Sequence, residues 1–146
     1  MSSTSLITAS TKVKVSSTLD KSVGKKYLTD GSPETCWTST QGTPQFVQLT
    51  FEQPVIPQKL STIFQGGFVG TRCAIHVQAK DEDTWSLLTH LFPEDVNRRQ
   101  DFDLPQFPEN ISSVVQIKLI FEESSDFFGR ITIYDLALEG QIPDQS

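Results

Sequence analysis

Apolar residues recur at every second position along much of this chain. Val13 and Val15 alternate with lysines, and Cys73, Ile75, Val77 and Ala79 alternate with Arg72, His76 and Gln78. A period of two puts one set of side chains against a core and the other toward solvent, the pattern of a half-buried strand. It predicts strands over Lys12–Ser16, Phe46–Phe51, Leu60–Gln65, Arg72–Lys80, Trp85–Phe92, Gln100–Leu104, Val114–Phe121 and Arg130–Leu138. Pro54, Pro57, Gly66–Gly70, Pro105 and Pro108 punctuate them, and Asp81–Asp83 reads as the turn of a hairpin. In the last strand the apolar parity slips. Ile131 and Ile133 share one phase and Tyr134, Leu136 and Leu138 the other, so a bulge is expected near Ile133. No stretch sustains a helical period, and strands at this spacing predict an all-β sandwich or barrel.

The chain has 146 residues, enough for one domain with its own core. Residues 1–146 are read as that domain, with the core over about 12–140 and flexible tails at 1–10 and 141–146. Ten Phe supply much of the apolar area. Net charge is -6, although Lys12, Lys14, Lys21, Lys25 and Lys26 make the first thirty residues basic. An acidic total argues against direct nucleic-acid binding through a broad basic face. Cys36 and Cys73 show neither zinc spacing nor a disulfide framework. No signal peptide or run of transmembrane length is seen. The expectation is an intracellular, reduced chain off the membrane.

Candidate chemistry falls on two loops. Leu28–Trp37 opens on an Asp30-Gly31 turn and closes on Trp37. Between them Asp30, Ser32 and Thr35 place oxygens at i, i+2 and i+5, a set able either to wrap a hard cation or to cap the turn's own amides. The second feature is aromatic. Phe68 sits among glycines, and Phe127-Phe128 precede Gly129-Arg130. Aromatic and Arg side chains on loops are characteristic of interface hot spots. Phe68, Arg72, Phe127, Phe128 and Arg130 are therefore the candidate partner site. The competing structural reading has one Phe plugging the end of the sandwich and Arg130 paired with Asp126 or Glu123. No catalytic residues are assigned. His76 and His90 have no nucleophile at a motif spacing, and Gly66–Gly70 lacks the Lys-Ser/Thr of a phosphate loop.

Tyr27–Trp37 followed by Gln45–Phe51, with the closing segment Arg130–Gly140, resembles the discoidin, or coagulation-factor type C, domain family. The resemblance runs from about Lys12 to Gly140. The strings Gln65-Gly66-Gly67-Phe68 and Asp126-Phe127-Phe128-Gly129-Arg130 are similar to an intracellular branch of that family that associates with an orphan nuclear receptor.

The resemblance implies a galactose-binding-like jelly roll of roughly eight antiparallel strands, with the binding face built from loops at one end. It implies a non-catalytic, monomeric protein-binding module in the nucleus. That module represses its receptor by hindering the receptor's access to DNA. No cofactor is required, but sugar-binding relatives hold a structural calcium. Carried over, its ligands are the Tyr27 and Tyr134 carbonyls, Asp30, Ser32, Thr35 and the Asp135 carboxylate. Secreted members carry a cysteine near each end, where this chain has Ser10 and Gly140. Alternative roles within the fold are a calcium-assisted carbohydrate-binding module and a substrate-recruiting subunit of a ubiquitin ligase.

Overall fold

Nine strands form in the computed structural model, which describes residues 4–143. They are β1 (Thr4–Ser5), β2 (Lys12–Val15), β3 (Trp37–Thr38), β4 (Gln45–Phe64) and β5 (Gly70–Ala79), followed by β6 (Trp85–Leu91), β7 (Arg99–Asp103), β8 (Val114–Ser124) and β9 (Thr132–Gln141). All pairings are antiparallel. Every long strand expected from the alternation is present. The additional β1 and β3 are two residues each, too short to leave a period in the sequence. Two short 3-10 turns, Lys21–Val23 and Lys25–Leu28, fill the connection before the Asp-Gly loop.

β4 corrects the expectation of two strands broken by Pro54 and Pro57. It is one strand of 20 residues that belongs to both layers. Gln45–Thr50 pairs with β2 and β8, while the stretch from Ile56 onward pairs with β9 and β7. Register shifts between Thr50 and Val55, and again between Pro57 and Lys59, turn the corner. Prolines are tolerated there because a bulged corner needs fewer ladder donors. On the β7 side of that corner the Gln58 carbonyl accepts from the Leu104 N–H at 2.8 Å.

One layer is therefore β2, the first half of β4, β8, β5 and β6, with β6 at its edge; the other is β1, β3, β9, the second half of β4 and β7. Their inner faces supply the core, including Leu49, Ile75, Ile117 and Leu119 from the first layer and Leu60, Phe64, Ile133 and Leu138 from the second. Burying each such side chain contributes about 1.5–3 kcal/mol. Phe64 and Phe121 meet edge to face across the core, ring centroids 5.8 Å apart. Trp37 is fully buried and donates its indole N–H to the Ser17 carbonyl at 3.0 Å.

The parity slip in β9 is a bulge, as expected. Phe64 pairs with Ile133 and Ile63 with Asp135, leaving Tyr134 as the extra residue. Ile133, Leu136 and Leu138 all reach the core as a result.

The expected tail over 1–10 is corrected for residues 4–6. Thr4 and Ser5 pair with Gly140 and Glu139, the Leu6 N–H bonds the Leu138 carbonyl at 2.8 Å, and Leu6 is buried. Gln141 likewise pairs with Ile56 instead of leaving the sheet. The rest of the two expected tails includes residues 1–3 and 144–146, which lie outside the described residues. No helix among the described residues is long and apolar enough to cross a membrane.

Strand direction brings several connections to one end of the sandwich. The loops over 28–44, 65–69, 92–98 and 125–131 form this rim. The 52–55 corner and the 80–84 hairpin lie at the opposite end.

Candidate functional site

The rim is knitted by side chains that bond backbone. Asp95 accepts from the Gly67 N–H at 2.8 Å and the Ser125 hydroxyl at 3.1 Å, and Asn97 accepts from the Gly66 N–H at 3.0 Å. Ser39 accepts the Ile131 N–H at 2.9 Å through its hydroxyl. Ser124 bridges the strap, accepting from the Asp126 N–H and donating to the Arg130 carbonyl at 2.7 Å. The Gly42 N–H donates to the Phe128 carbonyl at 2.7 Å. These are positioning residues that the alternation did not expose. The only signal for them was their type, Ser, Asn and Asp in loops, where short polar side chains bond backbone.

On that frame, Arg130 forms a fork with Asp126. Its Nε lies 2.9 Å from Oδ2 and Nη2 3.3 Å from Oδ1, and the Arg130 backbone N–H joins at 3.0 Å. The pairing with Asp126 named in the structural reading is thus observed, and it holds the Asp126 carboxyl below the ordinary carboxylate range. The guanidinium carbon stands 5.0 Å from the Phe68 ring centroid and 5.8 Å from that of Phe128. Such cation–π contacts fix the rings and contribute about 0.5–1 kcal/mol at exposed sites. Phe127 meets Phe128 edge to face at 5.2 Å. Neither plugs the sandwich: Phe127 is 94% exposed and Phe128 53%.

Four of the five candidate partner residues therefore form one cluster: Phe68, Phe127, Phe128 and Arg130. Arg72 does not join it. It faces outward from β5, where its Nε pairs with Glu122 at 3.1 Å, and His90 approaches the same carboxylate oxygen at 3.5 Å. Cys73, its neighbour in the strand, is buried in the core, so alternation sends Arg72 to the opposite face.

The Asp-Gly loop closes against β9, bringing together the segments from which the resemblance draws calcium ligands. A cleft of about 460 Å³ lies between them, lined by Gly31, Ser32, Pro33, Ile63, Asn97, Tyr134 and Asp135. Gly31 and Ser32, next to Asp30, share that cleft with Asp135, whose pKa is raised, first by burial and to a lesser extent by Asp30. Arg99 opposes that rise. Tyr27 sits in the 3-10 turn just before the loop.

The donor set is all oxygen and suits a hard cation, yet the loop's own bonds also satisfy it. Asp30 Oδ1 accepts from the Ser32 N–H at 3.0 Å and Oδ2 from the Thr35 hydroxyl at 2.6 Å. Ser32 Oγ accepts from the Glu34 N–H at 3.2 Å. Those two bonds to Asp30 lower its pKa, Thr35 foremost. Among the described residues, no three His, Cys, Asp or Glu side chains gather as a metal site. A cation here has to redirect the Thr35 hydroxyl and recruit Asp135.

No protein-family model matches the chain. Its backbone matches the F5/8 type C domain of a Bacteroides fragilis protein with a TM-score of 0.79 at 16% identity, over 97% of this chain and 98% of that one. The family 32 CBM from Clostridium perfringens NanJ, solved in complex with galactose, matches with a TM-score of 0.77 at 14% identity, over 94% and 98%. Fold and rim thus define a discoidin-class, galactose-binding-like jelly roll. Sequence narrows the class. The nuclear receptor 2C2-associated protein of Danio rerio is 43% identical over 140 residues, 94% of this chain and 96% of that protein. The Homo sapiens protein of the same name is 36% identical over equal shares. The chain belongs to the nuclear receptor 2C2-associated protein family.

Proposed function

We propose that this chain is a non-catalytic module that binds a nuclear receptor through its aromatic rim. The observation that carries the reading is Phe127, 94% exposed beside a half-exposed Phe128. A ring so placed contributes nothing to the core, while the strap beneath it is held by the Asp126–Arg130 fork. Pre-ordered aromatics of this kind add binding energy with little ordering cost. The relatives' name supplies the partner class.

Carbohydrate binding is a weaker reading of the same rim. A sugar site needs polar groups free to flank its aromatic platform. Here both Asp126 oxygens are committed to Arg130, and Asp95 Oδ1 is committed to Gly67 and Ser125.

The effect on the receptor follows from charge. In this proposal the chain, with a net charge of -6, lies over the receptor's basic DNA-binding surface in the nucleus, competes with DNA phosphate and so represses transactivation. Receptor binding should weaken as salt rises from low to physiological strength; salt-independent binding refutes that mechanism. The decisive experiment is titration of purified nuclear receptor 2C2 against the wild-type chain and the Phe127→Ala/Phe128→Ala double variant. We expect at least tenfold weaker binding by the variant at an unchanged melting temperature. Equal affinities overturn the rim assignment.

A structural calcium held by Asp30, Ser32, Thr35, Asp135 and the Tyr27 and Tyr134 carbonyls is a second, separable proposal. The half-buried Asp135, sharing a cleft with Ser32, favours it. Bound calcium neutralises the two carboxylates and pins the loop to β9. A melting temperature that does not rise in millimolar calcium removes it.

A further inference from the structure

The layer formed by β2, β4, β8, β5 and β6 turns three rows of side chains outward, as its register dictates. One row runs Lys14, Gln48, Lys118, His76 and Leu87. The next runs Lys12, Thr50, Gln116, Gln78 and Trp85. A third runs Phe46, Ile120, Ala74 and His90. The three rows carry three lysines and no carboxylate, on a chain whose net charge is -6. The opposite layer behaves otherwise: its outward positions include Asp101, Asp103, Asp135 and Glu139, against Lys59 and Arg99. Among these positions, with the Arg72–Glu122 pair at its end counted, the first face carries four Lys or Arg against one carboxylate, and the second carries two against four.

The basic face is also apolar and pre-ordered. Leu87 is 53% exposed and Phe92, stacked on His90 at 6.5 Å, is 67% exposed. Lys118 Nζ is held 4.5 Å from the Trp85 ring centroid and 5.2 Å from that of Phe46. Gln48 donates to Gln116 Oε1 at 2.6 Å, Gln116 donates to Gln78, and Gln78 donates to the Glu82 carbonyl at 2.8 Å. Thr50 also donates to Gln116 Oε1 at 2.9 Å, so the ladder locks the second row across three strands and ties it to the first. Exposed apolar and aromatic groups gathered on one rigid face mark an interaction surface.

We propose that this face docks an acidic protein segment bearing large apolar side chains, at a site separate from the Phe68, Phe127, Phe128 and Arg130 cluster. Charge complementarity selects the occupant: carboxylates meet Lys12, Lys14 and Lys118, while leucine- or phenylalanine-sized groups cover Leu87 and Phe92. A nucleic acid strand fits less well. Lys118 already occupies the faces of Trp85 and Phe46 on which bases would stack. A continuous polyanion crossing the face also runs toward Glu122 at one end or Asp81–Asp83 at the other.

The test titrates the full chain, by fluorescence anisotropy, with a labelled ten-residue peptide alternating Glu with Leu and Phe. A Lys-for-Glu version of the peptide and a labelled oligothymidylate serve as the other arms. The acidic peptide should bind at micromolar to submillimolar concentration. Lys12→Glu/Lys14→Glu and, separately, Leu87→Ser/Phe92→Ser should each weaken it at least tenfold. Phe127→Ala/Phe128→Ala should leave it unchanged, so this result does not depend on the rim reading. No binding at 1 mM, equal binding of the Lys peptide, tighter binding of the oligonucleotide, or insensitivity to both sheet-face variants each overturns the proposal.

Discussion

Gly129→Ala probes the strap that carries the exposed rings. Gly129 has φ +82°, and a β-carbon there would lie 2.9 Å from three backbone atoms of Gly42. An L-residue in the left-handed region costs about 1–2 kcal/mol. The approach to Gly42 adds a second penalty, because relieving it strains the Gly42 N–H bond to the Phe128 carbonyl. A bond of that kind contributes about 0.5–1.5 kcal/mol. The combined effect is roughly 2–3 kcal/mol, which for a domain of this size lowers the melting temperature by about 6–9 °C. Gly67→Ala is the matched control: its φ is +90°, but nothing lies within 4 Å of the added carbon, so only the backbone penalty applies. Differential scanning fluorimetry should place Gly67→Ala between wild type and Gly129→Ala, and only Gly129→Ala should also weaken receptor binding. Identical melting of the two variants refutes the inference that strap and 39–44 loop are tied through that contact.

Three further outcomes follow from the same geometry. Phe64→Ala removes a ring that is 1% exposed and packed edge to face on Phe121, so urea denaturation should show a loss of about 3–5 kcal/mol, against less than about 0.5 for Phe127→Ala. Burial, then Lys118, holds His76 below the ordinary imidazole value of 6.5, so as pH falls the unfolded chain takes up the proton first. Stability should therefore decline as pH is lowered through 6.5 and level off below the folded-state value; His76→Gln should flatten that decline in urea midpoints between pH 7.5 and 5. Burial and Asp30 raise the pKa of Asp135, so its charged form is disfavoured in the fold. Asp135→Asn should thus melt higher than wild type at pH 7 in chelator and lose any calcium response; a lower melting temperature contradicts that electrostatic assignment.

The alternation of β5 and β8 was enough to assign strands, faces and core, because one-sided burial enforces a period of two. The β9 bulge was legible for the same reason: a residue inserted into a buried strand must shift the apolar phase, and Tyr134 does. Proline misled at β4. Pro54 and Pro57 read locally as breaks, but the tertiary corner absorbs them as bulges, which no single-strand pattern encodes. Leu6 offered no periodicity around it, so its burial against β9 stayed hidden. At the rim, Phe127 and Phe128 were legible from their Gly-bounded loop, whereas Asp95 was not, since its role depends on Gly67 and Ser125 arriving from distant loops. Arg72 was misgrouped because proximity in sequence to Phe68 hid the change of face at the start of β5.

The single long strand shared by both layers has a mechanical meaning. Pulling or melting either layer frees one end of the same continuous strand, so opening of one half loosens the anchorage of the other. A chain divided at Gln53 should yield two fragments that are each unfolded alone and regain the sandwich only when mixed, and amides on β8 and β9 should exchange with solvent through one common opening.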